Sequence, residues 1–377
     1  MLNFSLRLMG LRLTHILLLL SVAVFCTKTA AGEENQGKSK NITDKIKRLV
    51  DGLSFGAHER LFPYLSLEDW FDPYGGLKLE HCVLGSEKAR IAHHVKFETV
   101  RDFSWKLRYE LNSLPERTKL SFLFKIKFDR DAYFYGIGNS TEKNNRLGAT
   151  YTSVFLGTEI RQELGQKLVF LWSPGYWRFK SGLEAGGEFE DASDAEYITS
   201  RFTLSDRYPV DYRNTRWDQQ WSSYIEFGLP VTANVSSYAR INLEQFTRIP
   251  IFKSSKLGIR NRIEFLSSTN RDLLPYFTIP EIGSRSGLRG FSKARFRNFA
   301  LHGLSLEYSI GLGNSFESFI LFDVAQTDSN LKDLFGAKIH SDYGIGARVL
   351  SLTHPLSFGV ANSIDGWKLF SNVSVVF

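Results

Sequence analysis

From about residue 76 to the last residue, apolar and polar side chains alternate with a period of two, strand after strand. Leu120, Phe122, Phe124, Ile126 and Phe128 alternate with Ser121, Leu123, Lys125 and Lys127. Leu257, Ile259, Asn261, Ile263 and Phe265 alternate with Gly258, Arg260, Arg262 and Glu264, and Leu304, Leu306, Tyr308, Ile310 and Leu312 with Ser305, Glu307, Ser309 and Gly311. Successive side chains of a strand point to opposite faces, so one face is apolar and the other charged. A soluble sandwich strand shares the alternation; the repeated cations and carboxylates on the second face separate the two. Apolar outside and polar inside is the pattern of a barrel strand in lipid. Hydrocarbon leaves no backbone group unpaired, and among sheets only a closed one meets that demand. Sixteen candidate strands fit into 76–377 at about 19 residues per strand and connection, enough for roughly 9–11 embedded residues each. The expected fold is all-β, a transmembrane antiparallel β-barrel of about 16 strands.

Upstream, Arg7 and Arg12 precede an apolar run from Ile16 to Phe25 and then small residues up to Ala31, which reads as a secretory signal over 1–31. The run is short for a bilayer span. Cleavage there would remove Arg7, Arg12 and Lys28, so part of the formal charge of +7 belongs to the signal. Cys82 is the only cysteine downstream of residue 31, so no intramolecular disulfide is expected. Residues 32–75 read as a periplasmic helix and linker. Thr43 caps a helix whose Ile46, Leu49, Val50 and Leu53 share one face, and Pro63, Pro73 and Gly75-Gly76 punctuate a connecting segment over 57–75.

At the other end, Trp367, Leu369, Val373, Val375 and Phe377 lie on one face of a strand that stops on its terminal aromatic, with Val375 and Phe377 as a candidate assembly signal. The longest connection in the barrel region, 268–299, carries Gly287-Leu288-Arg289-Gly290-Phe291 and a basic run of Lys293, Arg295 and Arg297. A loop of that length is entropically mobile. Arg289 offers a rigid five-donor fork for a carboxylate, and Gly290 permits close backbone approach. By alternation Asp323 shares an inner face with Leu321 and Ala325, while Ile320, Phe322 and Val324 face outward.

An Arg-Gly-aromatic loop tip, a strand bearing Glu307-Tyr308, then Leu321-Phe322-Asp323-Val324-Ala325, then Gly344-Ile345-Gly346-Ala347-Arg348 and a terminal aromatic together resemble the BamA/TamA-type outer-membrane barrel family. Upstream Phe134-Tyr135-Gly136-Ile137-Gly138-Asn139 resembles a segment of its smaller barrels. The resemblance implies that the long loop folds back into the lumen, where Arg289, Gly290 and Phe291 meet Asp323, Glu307 and Arg348. It also implies work on unfolded outer-membrane or secreted polypeptides in outer-membrane lipid. Several features depart from the family. Leu321 and Ala325 stand where its pattern has an aromatic and a glycine, Asn372 stands where its closing strand usually has glycine, and the 32–75 segment is too short for a periplasmic polypeptide-transport-associated domain.

Other functional classes find little support. No Gly-x-Ser-x-Gly turn occurs, and His302 and Ser305 fall on opposite faces of one strand. His93, His94 and His340 have no metal-ligand companions at useful spacing, so no catalytic site, metal or cofactor is expected. The export signal and the absence of a recognisable module argue against nucleic acid. Two alternatives to polypeptide handling stay open. One is a plugged structural or oligomer-forming barrel. The other is a porin-like channel in which Lys125, Arg240, Arg260, Arg262, Glu264 and Arg348 set selectivity.

Overall fold

The computed structural model describes residues 59–67, 73–82, 89–97, 103–111, 117–185, 188–206, 217–284, 287–313, 315–350 and 356–373. The expected signal at 1–31, the helix around Ile46 to Leu53, and Val375 and Phe377 lie outside the described residues. Sixteen strands form one antiparallel sheet in which every strand pairs with its neighbours along the chain. In order they are β1 (Glu59–Leu67), β2 (Pro73–Cys82), β3 (Ala89–Phe97), β4 (Phe103–Leu111), β5 (Thr118–Phe134), β6 (Leu147–Leu164), β7 (Leu168–Ala185), β8 (Glu188–Asp206), β9 (Asp218–Pro230), β10 (Tyr238–Phe252) and β11 (Ser255–Ser268). Two short strands, β12 (Glu281–Ile282) and β13 (Phe296–Arg297), pair with each other inside the long connection. The sheet resumes with β14 (Ala300–Leu312), β15 (Phe316–Asp328), β16 (His340–Val349), β17 (Leu356–Ser363) and β18 (Gly366–Val373).

The count of sixteen matches the sequence expectation, but two boundaries differ. The sheet starts at Glu59, inside the stretch read as a connecting segment. Among the described residues Pro63 lies in a strand that pairs with β2 alone, and Pro73 opens the next strand, both places where a sheet tolerates proline. Conversely, 168–185 is one continuous strand that runs through Ser173-Pro174-Gly175, residues of ordinary turn chemistry. Gly157 and Gly175 are cross-strand partners there, and the Phe155 ring occupies the space where a Cβ on either would stand. The glycines admit a folded-over aromatic rather than a turn.

The two faces differ in kind. Along β15, Phe316, Ile320 and Phe322 are 50%, 58% and 46% exposed, whereas the intervening Glu317, Phe319, Leu321, Asp323 and Ala325 are buried. Leu156, Ile225, Leu243, Leu312, Ile345 and Leu369 continue the outward apolar surface around the sheet. An apolar belt outside polar buried residues inverts the arrangement of a water-soluble domain. Strands β5–β8 run 17, 18, 18 and 19 residues, against 10, 8 and 8 in β16–β18. At about 3.3 Å per residue the longer ones approach 60 Å, so that wall stands far taller than roughly 30 Å of hydrocarbon requires.

Connections 165–167, 207–217, 253–254 and 313–315 fall at one end of the sheet. Connections 135–146, 231–237, 269–299 and 329–339 gather at the other. The terminal strands β1 and β18 approach each other closely, yet among the described residues they share no ladder. Among these residues no helix is long and apolar enough to cross a membrane, a statement that leaves β-strand crossing untouched.

Candidate functional site: the loop held inside the barrel

The connection 269–299 is built to turn inward. Asn270 caps a first 3-10 turn by accepting from the Asp272 N–H at 3.1 Å, and a second turn, Tyr276–Thr278, follows Pro275. Leu274, Ile279 and Phe299 then pack against Tyr197, Tyr238 and Leu266 of the barrel wall. Past β12 the backbone reverses through Gly283 at φ +143°, where a Cβ would lie 2.1 Å from the Ser292 carbonyl oxygen. Only glycine fits that crossing. Ile282, Leu288, Phe291 and Phe296 form a second cluster with Leu301 and Ala325 on the wall. Phe291 is 1% exposed and stands edge-on to Phe296 at 5.3 Å.

These two clusters carry Arg289 onto the inner face of the wall. Its Nε and Nη2 donate to Asp323 Oδ2 and Oδ1 at 2.9 and 2.8 Å, and its backbone N–H adds a third bond to Oδ2 at 3.2 Å. The remaining Nη1 donates to Glu307 Oε2 at 3.2 Å. Glu307 in turn accepts from Arg348 Nη2 at 2.7 Å, and Arg348 reaches Glu317 at 2.9 Å and Ser357 Oγ at 2.9 Å. Arg248 closes the series on Glu317 at 2.6 Å, with Lys256 at 3.5 Å. Alternating charges thus run from the loop tip across β14, β15 and β16 to β10 and β11. Arg248, Glu317, Arg348 and Asp323 are at most 4% exposed at their side chains, so each charge depends on its partners to offset the cost of burial.

The sequence named Arg289, Gly290, Phe291, Asp323, Glu307 and Arg348; the structure joins Arg289, Asp323, Glu307 and Arg348 in one network, sets Gly290 beside it against Asp342, and packs Phe291 in the neighbouring apolar cluster. Sequence reasoning missed Glu317, Arg248, Lys256 and Asp342. Parity could have found two of them, since Glu317 shares its face with Asp323 and Asp342 with Arg348. Gly290 donates its N–H to Asp342 Oδ2 at 2.9 Å, and a Cβ there would sit 2.8 Å from Asp342 Cβ. Close approach, rather than unusual dihedrals, is what this glycine supplies.

A second set of contacts fastens the loop to its neighbours. Gly138 N–H donates to the Arg297 carbonyl at 2.8 Å, and Arg295 pairs with Asp365 at 2.7 Å while donating to Thr141 at 3.0 Å. His340 stacks on Phe296 at 3.8 Å and bonds Asn139, so this histidine is a packing residue. His302 points outward to Asn261 at 3.0 Å, whereas Ser305 lines the inner cavity. Beneath the loop lies a cavity of about 230 Å³ lined by Arg260, Arg289, Arg348, Glu244, Glu307 and Phe370. Among the described residues no three histidines, cysteines or carboxylates converge as metal ligands.

Further round the lumen, Arg240 and Arg262 pair with Glu264, Arg260 with Glu244, and Arg201 with Glu226, which also accepts from the Tyr238 hydroxyl at 3.0 Å. Lys125 sits over the Phe155 ring at 5.1 Å. Of the cations that could set selectivity, Arg240, Arg260, Arg262 and Arg348 are each paired with a wall carboxylate.

No family model and no curated protein matches the sequence. Among solved structures, BamA from Haemophilus ducreyi lacking POTRA domains 1–3 is similar over 85% of this chain and 70% of that one, at 12% identity and a TM-score of 0.64. CdiB from Acinetobacter baumannii matches over 85% of this chain at 10% identity and a TM-score of 0.57, and CdiB from Escherichia coli over 84% at 11% and 0.58. The chain spans 60% and 63% of those two CdiB chains. At such identities the likeness establishes a shared β-barrel fold.

Proposed function

We propose that the chain is an integral outer-membrane barrel that inserts or translocates polypeptides through a lumen closed by its own loop. The carrying observation is the combination of a filled loop end with an unzipped seam. The 269–299 loop occupies one end of the lumen through Arg289 and two apolar clusters. At the same time β1 and β18, of 9 and 8 residues, lie close to each other and, among the described residues, share no ladder. Unpaired strand edges are templates for an added strand. A nascent barrel strand could pair at this seam without first breaking a long row of backbone bonds. The fold shared with BamA and CdiB, the outward apolar belt and the Arg-Gly-Phe resemblance support the same reading. The 269–299 loop and connections 135–146 and 329–339, which share one end of the sheet opposite the outer ends of β1 and β18, support reading that end as extracellular and the opposite one as periplasmic.

The test is reconstitution. Liposomes containing the full chain are mixed with an urea-unfolded outer-membrane barrel, and folding is followed by heat-modifiable migration on gels. Faster folding than in empty liposomes is expected, and equal rates would refute the reading. Planar-bilayer recording separates the porin alternative, which requires a large steady conductance where a loop-closed barrel gives small, flickering openings.

A further inference from the structure

The connection 329–339 folds outward over the rim of the sheet, away from the Arg289 network that latches the long loop. Ile320 and Phe322 mark the outward face of β15, and by alternation Gln326 shares it. Gln326 Nε2 donates to the Ala337 carbonyl at 2.8 Å and to the Phe335 carbonyl at 3.4 Å, which draws the connection down onto that face. His302, the cross-strand partner of Gln326 and also outward, meets the Phe335 ring at 5.4 Å. Asp328 Oδ1 accepts from the Asn330 N–H at 3.1 Å, and the Gly336 N–H donates to the Asp333 carbonyl at 3.0 Å, so the 3-10 turn Leu334–Gly336 is held from both ends. Leu334 is fully buried and fixes the turn from within.

That scaffold turns apolar groups toward the surroundings. Phe335 and Ile339 are 63% and 62% exposed, and Leu331 is exposed as well. A short connection in water gains nothing by displaying three large apolar side chains, whereas the same residues are favourable against hydrocarbon. Their level fits. Phe335 lies against His302 and Gln326, just past Val324, where the apolar outward run of β15 ends. Tyr343 and Trp367, both exposed on the outward face of β16 and β18, stand edge to face at 6.5 Å. Aromatic residues so placed ring a barrel where hydrocarbon gives way to headgroups. Lys332 and Lys338, both exposed, flank the turn, and Asp333 between them accepts from Asn330 Nδ2 at 3.3 Å. We infer that connection 329–339 is an interfacial anchor whose partner is a lipid surface. Phe335, Ile339 and Leu331 enter the leaflet at the loop end, and Lys332 and Lys338 meet the phosphates of anionic headgroups. The anchor pins the rim of β15 and β16 at headgroup level.

This inference rests on the barrel lying in a membrane, and the test separates the two. The full chain carries Gly336→Cys in a background lacking other cysteines and is labelled there with the fluorophore NBD. A Cβ at Gly336 meets open space, so the label is tolerated. The protein is reconstituted in vesicles of phosphatidylcholine, with or without phosphatidylglycerol, and with iodide available on both sides. Heat-modifiable migration and co-flotation with the vesicles confirm a folded, inserted barrel. Blue-shifted emission is expected, with stronger quenching by lipid carrying a doxyl group near its headgroup than by lipid doxylated near its chain end or by iodide. F335S/I339S should move the label into water and lose the lipid quenching. K332Q/K338Q should keep that quenching in phosphatidylcholine but lose the increase that phosphatidylglycerol brings to the parent protein. Iodide quenching as complete as that of free NBD-labelled cysteine, in a protein that floats with the vesicles, overturns the anchor and leaves the membrane barrel standing. Equal quenching in the two vesicle types, or an increase that K332Q/K338Q retains, overturns the phosphate contact. Folded protein that fails to float removes the membrane placement and the anchor with it.

Discussion

Replacing Arg289 with alanine is the perturbation whose size the structure defines best. The substitution removes three side-chain bonds, two to Asp323 and one to Glu307, and leaves Asp323 at 0% exposure with a single backbone donor. Stranding one member of a buried pair costs about 3–5 kcal/mol. Two features pull the value to the lower end. Glu307 retains Arg348, and the cavity of about 230 Å³ that Arg289 lines lets water enter the space its guanidinium vacates. A loss of about 3 kcal/mol corresponds to roughly a hundredfold shift in the docking equilibrium. The whole loop should not leave, because Phe291, Leu288, Ile282 and Phe296 remain packed. The effect should therefore concentrate at the tip. Hydrogen exchange in detergent should show amides 288–291 opening by about 3 kcal/mol more readily, with β14 and β15 ladder amides unchanged. Removing both partners in R289A/D323A should cost much less than the sum of the single changes, since no lone buried charge survives. A tip shift below about 0.5 kcal/mol in R289A, or strict additivity in the double variant, would refute the latch.

Other expectations are briefer. Gly290→Val would drive a branched side chain into Asp342 and Ser363, so loop protection should fall and the Gly290–Asp342 bond should be lost, read as faster exchange at amide 290. Phe291→Ala empties a fully buried site and should lower thermal stability of the loop end by about 3–5 kcal/mol, visible as earlier loss of protease resistance at 282–296. Arg295→Ala breaks the pair with Asp365 and the bond to Thr141 and should loosen connection 135–146 as well as the long loop, a coupling that labelling of a cysteine at position 141 would report. Deleting Phe377 should lower outer-membrane abundance through impaired assembly, measured by fractionation, whereas unchanged abundance would count against a C-terminal signal.

The faces of the strands were legible because a period of two is a rigid rule. Glu307, Asp323 and Arg348 fell on the inner face by counting alone, and a loop of more than thirty residues with an Arg-Gly-Phe tip was long enough to meet them. Strand boundaries were less legible. Pro63 and the Ser173-Pro174-Gly175 run carry ordinary turn chemistry, and only the ladder decides that a terminal strand or a folded-over Phe155 tolerates them. Arg248 and Glu317 pair across 69 positions of sequence, and their meeting depends on register and inward bending that no local pattern encodes. Asp342 was the least visible, because its contact with the Gly290 N–H exists only once the loop is docked.

The placement of the loop inside a membrane-embedded barrel is tested most directly by a pair that leaves the latch intact. Ser292 Oγ on the loop accepts from Lys368 Nζ on β18 at 2.7 Å. Cysteines at 292 and 368, in a background lacking Cys82, are treated in whole cells with a short bifunctional thiol reagent and, separately, with a membrane-impermeant maleimide. Rapid crosslinking with the loop thiol protected from the impermeant reagent is the predicted result. No crosslink together with free labelling at position 292 would place the loop outside the barrel and contradict the account.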